Sequence, residues 1–174
     1  MSKERVSLSL AVAHSRNRVI GNDGSMPWNQ RADLQRFRTM TLEKPVIMGR
    51  KTWDSLGGKP LKGRTNIVVS RSELDLPQGA VGMNSISSAI DFAKGKAFDD
   101  GLSEVFVIGG GQLYVETIGY ADYIYTTEID ATILGDTVFP EIPEEFKPFV
   151  ISPTFSRDEQ NTYDYRYVTY HRKG

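Results

Sequence analysis

The chain has 174 residues, a length that favours a single domain over residues 1–174 with one sizeable hydrophobic core. Hydrophobic residues make up 39% of the chain and charged residues 25%, which excludes a disordered or fibrous protein. The net charge of −1 excludes a general attraction to nucleic acid or anionic lipid, and the absence of cysteine excludes disulfides, thiolate metal sites and cysteine nucleophiles. The N-terminus is polar and no apolar run approaches the ~20 residues that span a bilayer, so we expect a cytoplasmic location.

The first predicted elements enclose a long polar loop. Residues 6–13 are apolar and predict a buried strand, and residues 14–30 follow as a loop that contains glycine and proline. A loop of this length inside a domain is more often functional than a simple connection. A helix is predicted over residues 31–42, because its apolar side chains recur at helical spacing. Short strands are predicted at residues 46–48 and 66–70.

The second half of the chain alternates helix and strand. Residues 86–98 predict a helix with Ser85 as its N-cap, and residues 104–108 predict a strand that ends in three glycines, with a helix resuming near Gln112. The remaining strands are predicted at residues 123–129, 148–151 and 163–171. Apolar strands that alternate with helices predict an α/β protein with a mostly parallel sheet covered on both faces. The last two strands are close enough in sequence to form an antiparallel hairpin at one edge.

One acidic residue lies on an otherwise apolar stripe of the first predicted helix. Asp33, Phe37 and Met40 are spaced i, i+4 and i+7, so they share one stripe. Partial desolvation by the ring and the thioether raises the pKa of such a carboxylate. It can then form paired hydrogen bonds to a heterocycle or supply protons through water. The helix dipole alone also explains an acid in the first turn, so the spacing leaves both interpretations open.

Three consecutive glycines follow the strand predicted at residues 104–108. Without Cβ atoms, Gly109-Gly110-Gly111 lets a phosphate or a ring approach the backbone, and the following helix offers free N–H groups to an anion. A tight turn without a ligand is the alternative. The pattern differs from the dinucleotide fingerprint G-x-G-x-x-G, and the first strand carries no such loop.

Cationic and hydroxyl side chains follow two other predicted strands. They are Arg50, Lys51 and Thr52 after the first, and Ser70 and Arg71 after the second. The first group ends like a phosphate loop, but Lys44 stands where that motif requires its first glycine, which argues against a nucleoside triphosphatase. A helix start that holds a diphosphate is the alternative. Arg64 suits a bidentate pair with a ligand carboxylate, and solvated surface arginines explain each cation equally well.

Taken together, these segments resemble the dihydrofolate reductase family, in its bacterial chromosomal form, in order and over nearly the whole chain. The segments that carry the resemblance are Val19-Ile20-Gly21, Met26-Pro27-Trp28-Asn29, Ala32-Asp33-Leu34, Phe37, residues 45–53, Pro60-Leu61, Gly63-Arg64, residues 66–71, residues 107–114 and Gly135-Asp136-Thr137. The resemblance implies a mostly parallel eight-stranded sheet with an antiparallel C-terminal edge strand and four flanking helices. It also implies NADPH-dependent reduction of 7,8-dihydrofolate to 5,6,7,8-tetrahydrofolate, which supplies one-carbon metabolism.

The resemblance further assigns roles to individual residues. The catalytic group would be Asp33, the sole ionisable group of the pteridine pocket, with Trp28 positioning a water beside it and Met26 on a closing loop. Substrate binding is implied for Ala11, Val12, Asp33, Leu34, Phe37, Leu56, Leu61, Arg64, Ile108, Tyr114 and Thr127. Cofactor binding is implied for Ala13, Ile20, Gly49, Arg50, Lys51, Thr52, Ser70, Arg71, Ile108, Gly109, Gly110, Gly111, Gln112 and Leu113. A hydrogen bond from Thr127 to Asp33, a cis peptide between Gly109 and Gly110, and support of loop closure by Asp136 are also implied.

Two departures from the family pattern are visible. Gln30-Arg31 precedes the acid where the family often has Leu-Pro, so no proline fixes φ at the helix start and Arg31 brings a charge to the pocket rim. The Gly57-Gly58 loop is also one glycine longer than in the shortest bacterial versions.

The resemblance implies hydride transfer to C6 of the pterin with water-mediated protonation of N5, so the hydride step is expected to slow as pH rises. The expected ligands are dihydrofolate and antifolate inhibitors, with no nucleic acid, membrane or metal partner, and the chain is expected to be a monomer. Two other functions share parts of this pattern. The related reductase of riboflavin synthesis fits the combination of Trp28, Asp33 and Arg64 poorly, because that combination suits a pterin with a carboxylate tail. A catalytically silent nucleotide-binding module predicts NADPH binding without its oxidation.

Overall fold

The computed structural model describes residues 5–172, which form ten strands, four α-helices and one short 3-10 helix. The strands are β1 (Ser7–His14), β2 (Val19–Gly21), β3 (Val46–Gly49), β4 (Asn66–Val69), β5 (Ala80–Met83), β6 (Glu104–Val107), β7 (Tyr123–Ile129), β8 (Thr137–Val138), β9 (Phe146–Ile151) and β10 (Tyr165–Arg172). The helices are α1 (Arg31–Thr41), α2 (Arg50–Ser55), α3 (Ile86–Asp99) and α4 (Gly111–Thr117), with the 3-10 helix at Ile118–Tyr120. Among the described residues, no helix is long and apolar enough to cross a bilayer.

Eight of the strands form one sheet in the order β5-β4-β3-β6-β1-β7-β10-β9. Six of them, β5 through β7 in that order, pair in parallel. Strand β10 is antiparallel to both of its neighbours, so it lies between β7 and the edge strand β9. The mostly parallel sheet predicted from the sequence pattern and the eight strands implied by the resemblance are therefore confirmed, and the predicted C-terminal hairpin closes one side of the sheet.

Short strands account for the main differences from the predicted elements. Strand β2 lies inside the predicted loop 14–30, where it pairs with β8 to form a separate antiparallel ribbon. Neither strand is long enough to show an alternating pattern. Their pairing also depends on residues far apart in the chain. Strand β5 was also not predicted; it contains Gly82 and lies at the exposed edge of the sheet.

The two faces of the sheet bury different side chains of the same strands. On one face Leu8, Leu10 and Val12 of β1 belong to a core cluster with the alanines of α3, whereas Ala11 belongs to a second cluster on the other face. This division follows from the alternation of side chains along a strand. The second cluster includes Met48, Trp53 and Phe106, with Phe37 and Met40 of α1 packed against it. Helix α1 therefore lies on the Ala11 face of the sheet.

A remote side chain caps the start of α1, where the family pattern has proline. Gln30 precedes the helix without a capping side-chain bond, and the Ala32 N–H instead donates to Oδ1 of Asn161 at 3.0 Å. Gln30 itself is buried and its amide bonds the backbone of Tyr163 in both directions, at 3.1 and 2.8 Å. The loop before β10 therefore fixes the first turn of α1, which carries Asp33.

Helix α3 has the predicted N-cap and a replaceable glycine. The Ser85 hydroxyl accepts the Ser88 N–H at 3.1 Å, which confirms the predicted cap. Gly95 lies in the helix interior, and a Cβ built there meets nothing within 4 Å. Because glycine loses more conformational freedom than alanine on folding, we expect Gly95→Ala to raise the free energy of unfolding by about 0.5–1 kcal/mol. Urea unfolding followed by circular dichroism measures this free energy of unfolding. An unchanged or lower free energy would contradict the inference that a Cβ on Gly95 has open space around it.

Candidate active site

The carboxyl ends of the parallel strands bring three predicted ligand segments to one edge of the sheet. Gly49 ends β3, Ser70 follows β4 and Gly109 follows β6. The Gly49 N–H donates to the Gly109 carbonyl at 2.8 Å, so the first and third segments touch. Ligands of open α/β sheets bind outside the carboxyl ends of the strands, and this edge is therefore the first candidate for a nucleotide.

The three-glycine turn has a conformation that needs glycine. Gly109 has φ +117° and its peptide bond to Gly110 is cis, which confirms the cis peptide implied by the resemblance. A Cβ on Gly109 would lie 3.3 Å from Oη of Tyr114 and 3.5 Å from Oγ1 of Thr52. The backbone of this turn therefore lies directly against two hydroxyl groups at the ligand edge, with no side chain in between.

The cationic groups at this edge are accessible. Arg50 and Arg71 are exposed, and Arg50 forms an ion pair with Asp54 at 3.3 Å. Gly49 contributes no side chain to cap α2, so the first N–H groups of that helix are free of a side-chain cap. An accessible helix start flanked by arginines fits a diphosphate.

The other predicted cofactor residues surround this edge. Their locations are β1 for Ala13, β2 for Ile20, the start of α2 for Lys51 and Thr52, the segment after β4 for Ser70, the segment after β6 for Ile108 and Gly110, and the first turn of α4 for Gly111, Gln112 and Leu113. Gln112 is exposed, whereas Leu113 is buried in the core on the α3 face of the sheet. A contact of Leu113 with a ligand at this edge would therefore involve its backbone.

The carboxylate of Asp33 lies over β7. Oγ1 of Thr127 donates a hydrogen bond of 2.7 Å to its Oδ1, which confirms the bond implied by the resemblance. Burial raises the pKa of Asp33, while the Thr127 hydrogen bond and the positive charge of Arg36 lower it, and burial is the largest effect. The desolvation inferred from the stripe on α1 is thus present in the structure.

Tyr114 connects the glycine turn to the centre of the sheet. It is buried, and its hydroxyl donates to the Ala11 carbonyl at 2.6 Å. Burial is the main reason that the pKa of this phenol lies far above its usual value, and the Asp33 charge raises it further. The phenol therefore stays neutral and remains a hydrogen-bond donor.

Trp28 lines the same cleft as Asp33. Trp28 is 8% exposed, and its Nε1 is buried without an acceptor among the described residues. It shares a cleft of about 360 Å³ with Met26, Asp33 and Leu34. Met26 and Leu34 are 49% and 53% exposed, so their side chains are available to cover a ligand. Three predicted catalytic residues therefore line one cleft.

The second core cluster forms an apolar wall on the face of the sheet against which α1 packs. Phe37, Leu56, Leu61 and Ile108 are partly buried against it. Ala11 belongs to the same cluster, whereas Val12 points to the opposite face of the sheet and is buried there. Any contact of Val12 with a substrate on this face would therefore be made by its backbone.

Arg64 is held in place by neutral oxygens. Its Nη1 donates to Oγ1 of Thr41 and its Nε to the Lys62 carbonyl, both at 3.0 Å. Burial and then the nearby charge of Arg38 lower the pKa of Arg64. No ion pair within the described part of the chain involves Arg64. The guanidinium is therefore held in position and can still pair with a carboxylate.

The loop that carries Met26 contacts the segment before β8. Oδ2 of Asp136 accepts the Asp23 N–H at 2.9 Å. This bond is the largest of the effects that lower the pKa of Asp136, followed by the Thr137 hydroxyl. The contact expected between the Asp136 loop and the Met26 loop is thus present.

Several residues near Asp33 were not predicted as site residues. Glu159 and Gln160 line the cleft from the loop before β10, and Arg36 approaches the carboxylate from the next turn of α1. The spacing of Arg36 from Asp33 was visible in the sequence, since i and i+3 lie close on a helix. No sequence signal placed the loop of Glu159 against the start of α1.

The fold is that of an α/β protein with a cleft at Asp33, and the carboxyl edge of its sheet is suited to a nucleotide. The family model for dihydrofolate reductase matches residues 7–172. The dihydrofolate reductase of Haemophilus influenzae is 43% identical over 168 residues, which cover 97% of this chain and 100% of the relative. That of Bacillus subtilis is 39% identical over 166 residues, with 95% of each chain covered.

The solved structures include a dihydrofolate reductase from Enterococcus faecalis complexed with NADP(H) and RAB-propyl. It matches with a TM-score of 0.85 and 32% identity, covering 98% of each chain. The chain therefore belongs to the dihydrofolate reductase family, whose activity is NADPH-dependent reduction of dihydrofolate.

Proposed function

We propose that this chain reduces 7,8-dihydrofolate to 5,6,7,8-tetrahydrofolate with NADPH, using Asp33 as the charged group of the pterin site. The observation that carries the proposal is the desolvated carboxylate of Asp33, fixed by Thr127 and located in the cleft that Met26, Trp28 and Leu34 also line. A carboxylate in this setting accepts two N–H bonds from the amidine-like edge of a pterin. The same negative charge favours a protonated ring over a neutral one.

The groups at the carboxyl edge of the sheet fit NADPH. Arg50, Thr52, Ser70 and Arg71 would hold its phosphates, and the backbone of Gly109 and Gly110 would lie against it, since Gly109 has a positive φ that favours glycine. The backbones of Ala13 and Ile20 would hold the carboxamide of the nicotinamide. When bound, NADPH supplies the hydride that C6 of the pterin accepts.

The residues around the pterin prepare it for reduction. The free Nε1–H of Trp28 would hold a water near Asp33, from which N5 receives its proton. Phe37, Leu56 and Leu61 pack the ring system in an apolar environment, which strengthens the effect of the Asp33 charge. Closure of the loop that carries Met26 excludes bulk water from the reacting atoms.

The remaining parts of the proposal concern the tail of the substrate and the whole protein. Arg64 would pair with the glutamate α-carboxylate, since it is positioned by neutral acceptors. Antifolates that mimic the pterin edge would use the same cleft. The activity is assigned to one domain, residues 1–174, that acts as a cytoplasmic monomer.

A spectrophotometric assay of cofactor oxidation tests the proposed function. We expect NADPH to be consumed only when dihydrofolate is added, and NADH to be used much less, because Arg50 and Arg71 provide charges suited to the 2′-phosphate. Equal use of the two cofactors would discard the assignment of these arginines. Binding of NADPH without oxidation would favour a catalytically silent nucleotide-binding module. Activity only with a ribosylated pyrimidine would favour the reductase of riboflavin synthesis.

A further inference from the structure

Arg36 is a partly buried cation on the Asp33 side of α1 that has no role in the proposed function. Its Nη1 donates to the Thr126 carbonyl at 3.1 Å, and its guanidinium carbon lies 4.2 Å from the centroid of the Tyr167 ring. Within the described part of the chain it makes no ion pair. A charge that is removed from water without a carboxylate partner needs an explanation.

The sheet fixes Arg36 and Asp33 through adjacent residues of one strand. Asp33 accepts the hydroxyl of Thr127, and Arg36 donates to the carbonyl of the preceding residue, Thr126. The two side chains are three positions apart on α1 and therefore lie close together. The Tyr167 ring, directly opposite Thr127 in the β7–β10 register, supports the guanidinium. The distance between the two charges is thus set by the packing of α1 on the sheet.

The other ionisable groups around this pair come from several elements. The phenols are Tyr125 on β7, Tyr114 on α4 and Tyr167 on β10; the charges at the cleft rim are Arg31 and Glu159. Burial is the main cause that raises the pKa of each phenol, so all three stay neutral in the range where the enzyme is assayed. The rim charges are exposed and therefore screened by water. Arg36 is the cation near Asp33 that solvent screens least.

From this geometry we infer that Arg36 is a positioning residue that sets the pH range of hydride transfer. Its fixed positive charge makes protonation of the bound pterin less favourable. The inference rests on the proposed function and deepens it. The chemistry requires a protonated N5, which Asp33 favours, and the fixed guanidinium opposes that protonation. It also keeps Asp33 ionised, so that the carboxylate can accept the N–H groups of the ring.

Removal of the charge should therefore move two titrations in the same direction. In Arg36→Gln, the pKa values of the Asp33 carboxyl and of the bound ring should both rise, by about one pH unit for a nearby charge. Because hydride transfer slows as the ring loses its proton, the falling limb of the pH profile should move upward by a similar amount. Above the midpoint the variant should then transfer hydride faster than the parent, by up to about tenfold. A purely structural role would not produce a faster step at high pH.

Two measurements on intact protein test the inference. The first is an NMR titration of the Asp33 carboxyl carbon in ligand-free protein labelled with 13C-aspartate, assigned with Asp33→Asn. The second is the pH profile of single-turnover hydride transfer. Arg36→Lys keeps the charge and should leave both midpoints within a few tenths of a pH unit. Arg166→Gln is the matched control: Arg166 is the residue before Tyr167 on β10, is exposed, and pairs with Glu128 at 2.7 Å.

The outcomes separate this inference from the proposed function. An unchanged Asp33 midpoint in Arg36→Gln would overturn it, as would an equal shift in Arg36→Lys or in the Arg166 control. The NMR titration gives its answer even if the chain fails to oxidise NADPH with dihydrofolate, a result that would remove the proposed function instead. If Arg36→Gln does not fold, Arg36→Met carries the same test, because its unbranched side chain retains packing over Tyr167.

Discussion

Asp33→Asn is expected to lose most of its activity at neutral pH and to recover part of it in acid. The substitution keeps the shape of the side chain, and the Thr127 hydroxyl can still donate to its oxygen. What it removes is the negative charge that favours the protonated pterin. Loss of this electrostatic stabilisation predicts a fall of about 10²–10³-fold in single-turnover hydride transfer at pH 7. In acid, bulk water protonates the substrate and compensates in part.

Thr127→Val provides the matched comparison, since it removes the hydrogen bond and retains the carboxylate. Its effect on hydride transfer should be smaller than that of Asp33→Asn, because it removes one hydrogen bond to the carboxylate, worth at most about 1.5–3 kcal/mol, and keeps the charge itself. Full activity of Asp33→Asn at pH 7 would take Asp33 out of the catalytic role. The two variants together distinguish the charge of the carboxylate from its orientation.

Asp33→Asn should also stabilise the fold at neutral pH. Burial raises the pKa of Asp33 in the folded state above its ordinary value near 3.8. Below that ordinary value the group is neutral in both states, and folding has no electrostatic cost. As pH rises through the raised pKa, the folded protein must hold a desolvated charge, and stability falls. The parent should therefore lose thermal stability between pH 4 and 7 relative to Asp33→Asn, and identical melting curves across that range would contradict the assigned burial.

Long periodic segments explain why the framework of the fold could be predicted. Strand β7 begins at Tyr123 and ends at Ile129, as predicted, and α1 begins at Arg31 as predicted. Both have enough apolar residues at regular spacing to determine the element locally. The apolar stripe on α1 likewise predicts the desolvation of Asp33, because the spacing of a helix alone brings the acid beside Phe37 and Met40.

Contacts between distant residues explain what the sequence spacing left open. The Thr127–Asp33 bond joins positions 94 apart and the Asn161 cap joins positions 129 apart, and no local pattern encodes either of them. The first was implied only by the family resemblance. The second takes the place of the missing proline at the start of α1. Its donor and acceptor lie on different segments and meet only where the loop before β10 packs against the helix. The two-stranded ribbon of β2 and β8 was missed for the same reason.

That ribbon holds the active-site loop, and Gly135→Ala is expected to disturb it. A Cβ on Gly135 would lie 2.3 Å from Cγ1 of Val19 and 2.7 Å from the carbonyl oxygen of Gly21. Val19 is buried and the second atom belongs to the backbone, so relief requires a shift of β2 itself. Overpacking of this kind costs about 1–3 kcal/mol of stability. The shift would also weaken the bond from the Asp23 N–H to Asp136, the residue next to Gly135.

Because β2 leads directly into the segment that carries Met26, a displaced ribbon should leave the cleft less well closed. Misplacement of about 1 Å is enough to lower the hydride-transfer rate by about 10²-fold, while the affinity for dihydrofolate should change much less, because Asp33 and the apolar wall are untouched. Single-turnover rates at saturating ligands and equilibrium binding measure the two effects separately. Gly95→Ala is the control, since the same added methyl group meets open space in α3. Equal hydride-transfer rates in the two alanine variants would show that the contact between β2 and the Gly135 segment does not govern closure.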